Sequence, residues 1–157
     1  LAWEAEAAKA REIGIRVVNL RFGVVLSAGE SALAKMLPLF RWGLGGKLGN
    51  GCQWMSWIAL SDLVRAVFHL LESPDISGAI NMVAPNPVRN VGFTRALSGA
   101  LHRPAVFPAP ALALRAAFGE MADEALLAST RAVPERLLRS GFSFQLPTLE
   151  SALNAIL

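Results

Sequence analysis

A helix that passes directly into a strand is the feature of this sequence that most restricts its fold. Residues 3–13 are rich in alanine and glutamate and predict a helix, which Gly14 ends as a left-handed cap. The β-branched run 15–20 follows at once and predicts a strand. Helices joined this closely to strands are typical of layered α/β folds with parallel sheets. Residues 21–26 either extend the strand or form a shaped loop at its carboxyl end.

The next part of the chain predicts two more helix–strand alternations. A helix is expected over 31–42, which Pro38 kinks or interrupts, and a short aromatic strand is expected over 53–58. Ser61 is the expected N-cap of a further helix, and a strand follows over 79–83. The apolar stripe expected on that further helix is Leu63, Val67, Leu70 and Leu71.

After Pro85 the pattern changes to helices separated by proline and glycine. We therefore expect a soft domain boundary near Pro85, with an α/β part over 1–84 and a small, mainly helical domain over 85–157. The helices are predicted over 91–101, 111–118, 120–128, 134–140 and 148–157.

Composition excludes several classes of protein. Of the 157 residues, 54% are apolar and 17% are charged, a balance opposite to that of a disordered chain. No apolar run reaches the ~18 residues of a membrane span, and the net charge of +3 includes no block of like charges for nucleic acid. The single cysteine, Cys52, predicts a reducing compartment, and we expect a cytoplasmic protein. The sequence begins at Leu1 without a leader pattern, so we expect it to be part of a longer protein.

The glycine-rich stretch 43–51 is the sharpest local pattern. Gly43, Gly46 and Gly49 match a spacing used by dinucleotide-binding loops, but such a loop needs a strand before it and a helix after it. Here a helix precedes and a strand follows, so we do not interpret the stretch as a phosphate site. It is either a flexible surface loop or a mobile lip over a substrate pocket, to which Lys47 and Arg41 bring positive charge.

The aromatic strand over 53–58 has two interpretations. Strand alternation places Gln53, Met55 and Trp57 on one face and Trp54 and Ser56 on the other. The aromatic side chains are either ordinary core residues or the wall of a ligand pocket in which Gln53 or Ser56 orients the ligand.

Titratable residues give little support for catalysis by the chain itself. Asp62 fits a helix N-terminus better than a catalytic carboxylate, and His69 and His102 have no metal-ligand partners at suitable spacing. No metal site and no catalytic residue are predicted, and the chain contains no tyrosine that could act as acid or base. The acidic cluster is interpreted as the start of a helix, and its members are Glu120, Asp123 and Glu124.

Several strings in a fixed order resemble the C-terminal half of bacterial epimerase-like extended short-chain dehydrogenase/reductases. The resemblance covers essentially the whole chain, and it includes the small helical C-terminal domain. The strings are WEAEA at 3–7, RVV at 16–18, LRFGVVL at 20–26, ALAKMLP at 32–38, QWMSWI at 53–58, DLV at 62–64, NMVAPNPV at 81–88, PERLL at 134–138 and GF at 141–142.

The resemblance implies a fold, a cofactor and site residues. The fold is the C-terminal part of a Rossmann-like, doubly wound α/β fold with a mainly helical substrate lobe. The parent protein is expected to bind NAD or NADP and to carry its glycine fingerprint and its Tyr-x-x-x-Lys pair upstream of Leu1. Phe22, Gly23 and Val24 are expected beside the nicotinamide. The residues expected on the substrate side are Lys35, Lys47, Gln53, Trp54, Ser56 and Trp57.

The sequence departs from the family pattern in two places. Ala59 and Ser61 stand where the family tends to have histidine and an acidic residue, which weakens that corner as an active-site edge. Glu30 and Ser31 stand in a place that is usually rich in glycine, so the loop before the second helix is expected to adapt less.

Two functions follow from different interpretations. The first is the substrate-binding half of an NAD(P)-dependent nucleotide-sugar epimerase or reductase, inactive alone, with a small molecule such as a sugar nucleotide as its partner. The alternative is a non-catalytic module that binds a protein partner through its apolar faces. A chain without upstream strands would also leave one edge of strand 15–20 open, which predicts homo-oligomers formed through that edge.

Overall fold

The computed structural model describes residues 2–29, 31–120, 122–123 and 127–157. Its strands are β1 (Val18–Phe22), β2 (Val24–Leu26), β3 (Trp54–Met55), β4 (Trp57–Ala59), β5 (Gly78–Met82) and β6 (Val88–Arg89). Its helices are α1 (Ala2–Glu12), α2 (Ala32–Arg41), α3 (Leu60–Glu72), α4 (Asn90–Leu101), α5 (Ala111–Phe118), α6 (Glu135–Arg139) and α7 (Leu149–Ile156).

The predicted end of the first helix is confirmed. Gly14 has a φ of +80°, which a residue without a Cβ adopts without strain. The amides of Gly14 and Ile15 donate to the carbonyl oxygens of Arg11 and Ala10, both at 3.0 Å, the pattern of a Schellman cap. Strand β1 begins at Val18, later than the predicted residue 15.

Parallel pairing organises the strands of the first half. β1 pairs in parallel with β5, with Val18 opposite Gly78, and β2 pairs in parallel with β4, with Val24 opposite Trp57. The crossover from β4 to β5 runs through α3, as expected for an α/β unit. The open question about residues 21–26 is thereby resolved, because Gly23 separates two strands that pair with different partners.

The strand predicted over 53–58 is wrong as a single element. β3 pairs antiparallel with β6, with Trp54 opposite Arg89, whereas β4 pairs in parallel with β2. The break falls at Ser56, which belongs to neither strand. Its hydroxyl bonds to a distant segment of the chain.

Among the described residues, β1 pairs with one strand only, so its second edge carries no backbone partner from a neighbouring strand. Unpaired edges are templates for association with another chain. We therefore expect the 157-residue chain to self-associate, with an average mass in sedimentation equilibrium that rises with concentration. A monomer at all concentrations would contradict this expectation.

The core crosses the predicted domain boundary. One cluster of buried apolar side chains joins Leu26 and Trp57 to Phe93 on α4 and Leu153 on α7. A second, smaller cluster packs α3 and β5 against Leu137 of α6. The boundary near Pro85 stays a prediction from sequence.

Helix α3 differs from the prediction at its start and on its face. It begins at Leu60 after the N-cap Ala59, so the predicted N-cap Ser61 lies inside the helix. Leu70 is buried and Leu63 and Val67 pack beside it, whereas Leu71 is 63% exposed and does not belong to the buried stripe.

Helix α2 starts where the sequence indicates. The Ser31 hydroxyl accepts from the Ala34 amide at 3.2 Å, and the helix continues through Pro38 to Arg41 rather than ending there. Glu30, part of the unusual loop before this helix, lies outside the described residues.

The remaining predictions for the second half are tested in part. Helix α5 matches its predicted span, α4 begins one residue before its own, and α6 and α7 lie within theirs. The helix predicted over 120–128 lies largely outside the described residues, as does Glu124. No helix in the described part of the chain has the length and apolar character needed to cross a membrane.

Candidate functional site

A cavity of about 560 Å³ opens where β1 and β5 end. Its volume falls in the range of roughly 300–1,000 Å³ that is typical of small-molecule sites. In open α/β sheets, ligands bind at the carboxyl ends of the strands, which is where this cavity lies. Its apolar lining residues include Phe22, Val24, Leu26, Leu33, Met36, Trp54, Met55, Val83 and Phe93, and its polar ones are Arg21, Ser56, Asn81 and Thr130.

Gly23 forms the corner at which the chain leaves β1 and enters β2. Its amide donates to the Met82 carbonyl oxygen at 3.4 Å, and the next amide, of Val24, donates to the Ser56 carbonyl oxygen at 2.8 Å. A Cβ added at Gly23 would lie 2.5 Å from the Ser56 oxygen and 2.8 Å from Val83 Cγ1. The close approach of three backbone segments therefore requires glycine here.

The opposite wall is a segment that sequence reasoning missed. The Ser56 hydroxyl donates to the Thr130 carbonyl oxygen and accepts from the Ala132 amide, both at 2.8 Å. The Thr130 amide donates to the Trp54 carbonyl oxygen at 3.1 Å, and the Ser129 hydroxyl accepts from the Trp54 amide at 3.0 Å. These bonds hold residues 129–132 along β3, so that Thr130 and Ala132 line the cavity.

Trp54 is held between two arginine side chains. The guanidinium carbons of Arg89 and Arg131 lie 4.9 Å and 4.7 Å from the centroid of its ring, within the range of cation–π contact. Arg89 also donates to the Cys52 carbonyl oxygen at 2.9 Å. The two arginines, which do not line the cavity, therefore hold the position of the indole that does.

Arg21 at the cavity edge is bound to helix α1. Its Nε and Nη2 donate to the two carboxylate oxygens of Glu4 at 2.8 Å and 2.7 Å. The hydrogen bond from Arg21 lowers the pKa of the Glu4 carboxyl, and the carboxylate raises the pKa of the Arg21 guanidinium. This pair is a contact between α1 and β1 at the carboxyl end of the strand.

The structure brings together five of the predicted site residues. Phe22, Gly23, Val24, Trp54 and Ser56 all line the cavity. Their binding roles stay predictions, but their proximity is a property of the fold.

Four other predicted site residues lie elsewhere. Lys35 is exposed on α2, and Lys47 borders a separate space of about 210 Å³. Gln53 is 7% exposed and donates through Nε2 to the Leu48 carbonyl oxygen at 3.2 Å. Trp57 is a core residue, 1% exposed, and its indole donates to the Asn86 carbonyl oxygen at 2.9 Å.

The glycine-rich stretch is fastened to a neighbouring segment. The Phe107 and Ala109 amides donate to the carbonyl oxygens of Gly45 and Lys47 at 3.2 Å and 2.9 Å. A Cβ at Gly46 would lie 2.0 Å from the Phe107 carbonyl oxygen, so glycine permits this pairing. Of the residues 43–51, only Leu48 lines the cavity, so the stretch forms one margin of the site and does not cover it.

Asp62 is structural. Its side chain is buried and accepts from the amides of Gln145 and Leu146 at 3.0 Å and 2.8 Å and from Arg65 at 2.8 Å. It therefore joins α3 to the chain that leads into α7, and it does not line the cavity. This contact is one that neither the capping nor the catalytic interpretation anticipated.

The other titratable candidates lie away from the cavity. His69 Nε2 lies 2.8 Å from the Ser140 hydroxyl, and Asp123 pairs with Arg115, which lowers the pKa of its carboxyl. Among the residues that the structure describes, no group of three or more His, Cys, Asp or Glu side chains is placed to hold a metal ion.

Comparison with known proteins shows what this chain is similar to. Residues 109–156 match a domain of unknown function, DUF1731. The epimerase family protein Mb2239 of Mycobacterium bovis is 48% identical over 151 residues, which cover 96% of this chain and 50% of that protein. The chain is homologous to the epimerase family proteins. It spans about half the length of the curated relatives it matches.

Solved structures agree with this relationship. The human epimerase family protein SDR39U1, solved with NADPH, matches with a TM-score of 0.86 and 38% identity, over 90% of this chain and 48% of that one. A nucleoside-diphosphate sugar epimerase from Corynebacterium glutamicum matches with a TM-score of 0.73 and 33% identity, over 98% of this chain and 29% of that one. The predicted resemblance and the predicted α/β, Rossmann-like fold class are both confirmed.

Proposed function

We propose that this chain is the substrate-side half of an NAD(P)-dependent nucleotide-sugar epimerase or reductase. The observation that carries the proposal is the cavity at the carboxyl ends of β1 and β5, bordered by Phe22, Gly23 and Val24. The human relative holds NADPH, and the relative from Corynebacterium glutamicum is named for a nucleoside-diphosphate sugar.

The residues at the end of β1 fit one wall of a nicotinamide site. Phe22 is 58% exposed at the cavity edge, which leaves its ring free to contact a flat ligand. Gly23 keeps the backbone close to Ser56 and presents no side chain of its own. Phe22, Gly23 and Val24 would therefore hold the cofactor, which when bound supplies hydride transfer.

The chain itself positions ligands and excludes water. The apolar lining buries the substrate, and the bonds of Ser56 to residues 130 and 132 keep the opposite wall in register. The sequence contains no tyrosine, so proton transfer by a phenol would depend on residues outside these 157. We infer that the chain alone binds substrate and does not turn it over.

The cavity lining includes one charged side chain, Arg21, whose guanidinium is paired with the Glu4 carboxylate. A cytoplasmic location, expected from the single cysteine, remains part of this proposal.

A second candidate function rests on helix α3. Leu60, Val64, Phe68 and Leu71 recur at helical spacing and are 45–63% exposed, an apolar face suited to a protein partner. In this alternative the chain belongs to a non-catalytic interaction module with the same fold.

A thermal-shift experiment on the complete gene product that contains this chain separates the two functions. A cofactor that binds only the native protein raises its stability, by about 2.7 kcal/mol at 100-fold excess over the dissociation constant. We expect NADPH or NADH to raise the melting temperature, and we expect the 157-residue chain with either cofactor to leave UDP-glucose unchanged.

Each part of that experiment has an outcome that contradicts the proposal. Absence of any shift with both cofactors would favour the interaction module. Turnover of UDP-glucose by the 157-residue chain alone would show that its own residues suffice for catalysis.

A further inference from the structure

The segment over 128–132 presents alternate residues to the cavity, and it lies within the match to the domain of unknown function over 109–156. The Ser129 hydroxyl accepts from the Trp54 amide, and the Arg131 guanidinium lies against the Trp54 ring, so these two side chains hold the segment on β3. An extended backbone turns successive side chains to opposite sides. The residues that line the cavity are the other three, Ala128, Thr130 and Ala132.

Thr130 uses its backbone groups to hold this segment and leaves its hydroxyl free. Its amide donates to the Trp54 carbonyl oxygen, and its carbonyl oxygen accepts from the Ser56 hydroxyl. Among the residues that the structure describes, the Thr130 hydroxyl has no hydrogen-bond partner. The residue is exposed, so a ligand in the cavity can reach this hydroxyl, which donates one hydrogen bond and accepts two.

Two further polar side chains lie next to each other at the strand ends. Arg21 lies opposite Asn81 in the parallel register of β1 and β5, which places both side chains on one face of the sheet, and both line the cavity. Arg21 donates to Glu4 through Nε and Nη2, which leaves Nη1. Asn81 donates to the Val133 carbonyl oxygen through Nδ2, which leaves Oδ1. Within the described part of the chain, Nη1 and Oδ1 have no other partner, so the cavity has a free donor and a free acceptor on neighbouring strands.

A ligand group that fits these side chains is uncharged and offers both donors and acceptors. Arg21 is the charged residue of the lining, and its ion pair with Glu4 compensates that charge. Each hydroxyl of a sugar ring donates one hydrogen bond and accepts others, and a hydroxyl that is buried without a partner weakens binding. The apolar residues of the same lining would contact the carbon atoms of the ring.

We propose that Arg21, Asn81 and Thr130 bind the hydroxyl groups of the sugar ring of the substrate, and that Thr130 makes the segment 128–132 a determinant of substrate specificity. That the ligand is a sugar nucleotide rests on the proposed function. The choice of these three side chains rests on their free atoms in the cavity. The matched domain of unknown function then has a task in this protein, which is to supply one wall of the substrate site and a hydroxyl that recognises the sugar.

Thr130→Val tests this assignment, because valine keeps the branched shape of threonine and removes the hydroxyl. UDP-glucose, UDP and NADPH are titrated separately by calorimetry into the complete gene product that contains this chain. UDP lacks the sugar ring, so it separates contacts with the ring from contacts with the rest of the nucleotide. Thr94→Val is the matched control, since the Thr94 hydroxyl on α4 is buried, has no partner in the described part of the chain and lies outside the cavity.

We expect Thr130→Val to bind UDP-glucose about fivefold or more weakly, as the loss of one hydrogen bond predicts, and to bind UDP and NADPH without change. Thr130→Ser retains a hydroxyl and should keep most of the affinity for UDP-glucose. Thr94→Val should bind all three ligands like the unmodified protein. Asn81→Ala should also weaken the binding of UDP-glucose and not that of UDP, and it decides the question if circular dichroism shows that Thr130→Val is not folded.

Four results would overturn the inference: UDP-glucose does not bind the unmodified protein, its affinity is unchanged in both cavity variants, UDP loses as much affinity as UDP-glucose, or NADPH loses affinity in place of UDP-glucose. The comparison of UDP-glucose with UDP needs no cofactor. A failure of NADPH to bind the complete gene product would therefore contradict the cofactor of the proposed function and would leave that comparison intact.

Discussion

Replacing Gly23 by alanine is expected to lower the free energy of unfolding by about 3 kcal/mol, the upper part of the range for inserting a methyl group into closely packed structure. The new Cβ would lie 2.5 Å from the Ser56 carbonyl oxygen, which already accepts the amide of Val24. Relief of this clash requires β2 and β4 to separate, because the Ser56 oxygen is a backbone atom and cannot rotate away as the end of a side chain can. Urea unfolding measures the change.

Gly99→Ala is the matched control for this substitution. Gly99 lies in α4, and a Cβ there would meet no atom within 4 Å. Because alanine favours helix more than glycine does, this variant is expected to gain about 0.5–1 kcal/mol. If Gly23→Ala unfolds at the same urea concentration as the unmodified chain, the close packing of this corner is contradicted.

The same substitution also tests the site. Gly23 lines the cavity beside Phe22 and Val24, so a displaced corner would change the surface offered to a nicotinamide ring. In the complete gene product, we expect Gly23→Ala to reduce the rise in melting temperature caused by NADPH, whereas Gly99→Ala should leave it unchanged.

Local signals in the sequence account for the elements that were predicted well. Gly14 predicts the end of α1 because its positive φ depends only on its own backbone. Ser31 predicts the start of α2 because its hydroxyl bonds an amide in the first turn of the same helix. In both cases the interaction joins residues close in sequence.

Long-range contacts account for the elements that were predicted wrongly. The strand over 53–58 breaks at Ser56 because that hydroxyl bonds residues 130 and 132, more than 70 positions away. Nothing near Ser56 in the sequence indicates that partner, and alternation alone predicts a continuous strand.

The residues of the candidate site also fall into two groups, those that the sequence could place and those that it could not. Phe22, Gly23 and Val24 follow a predicted strand, and the resemblance to the epimerase family marks them, so they could be placed from sequence. Asn81 and Val83 lie at the end of another predicted strand, and the rule that ligands bind at the carboxyl ends of strands could have found them. The positions of Lys35 and Lys47 depend on how α2 and the glycine-rich stretch pack, which their local sequence leaves open.

Removing the Asp62 carboxylate is expected to cost about 3 kcal/mol, because hydrogen bonds to a charged group are strong and their loss leaves buried donors unpaired. Asp62→Ala deprives the amides of Gln145 and Leu146 of their acceptor and Arg65 of its ion pair. The link between α3 and the chain that enters α7 would then open. Amide hydrogen exchange at residues 145 and 146 should accelerate, and urea unfolding gives the energy.

Two further variants make this prediction specific. Asp62→Asn keeps one carbonyl oxygen but turns an amide group toward the backbone donors. Its free energy of unfolding should therefore lie between that of the unmodified chain and that of Asp62→Ala. Asp75 is exposed in the turn between α3 and β5, and Asp75→Ala should change stability by less than about 0.5 kcal/mol. Equal effects of Asp62→Ala and Asp75→Ala would mean that the buried carboxylate does not hold the two elements together. A cost confined to Asp62 would identify it as the residue that holds α3 to the chain that enters α7.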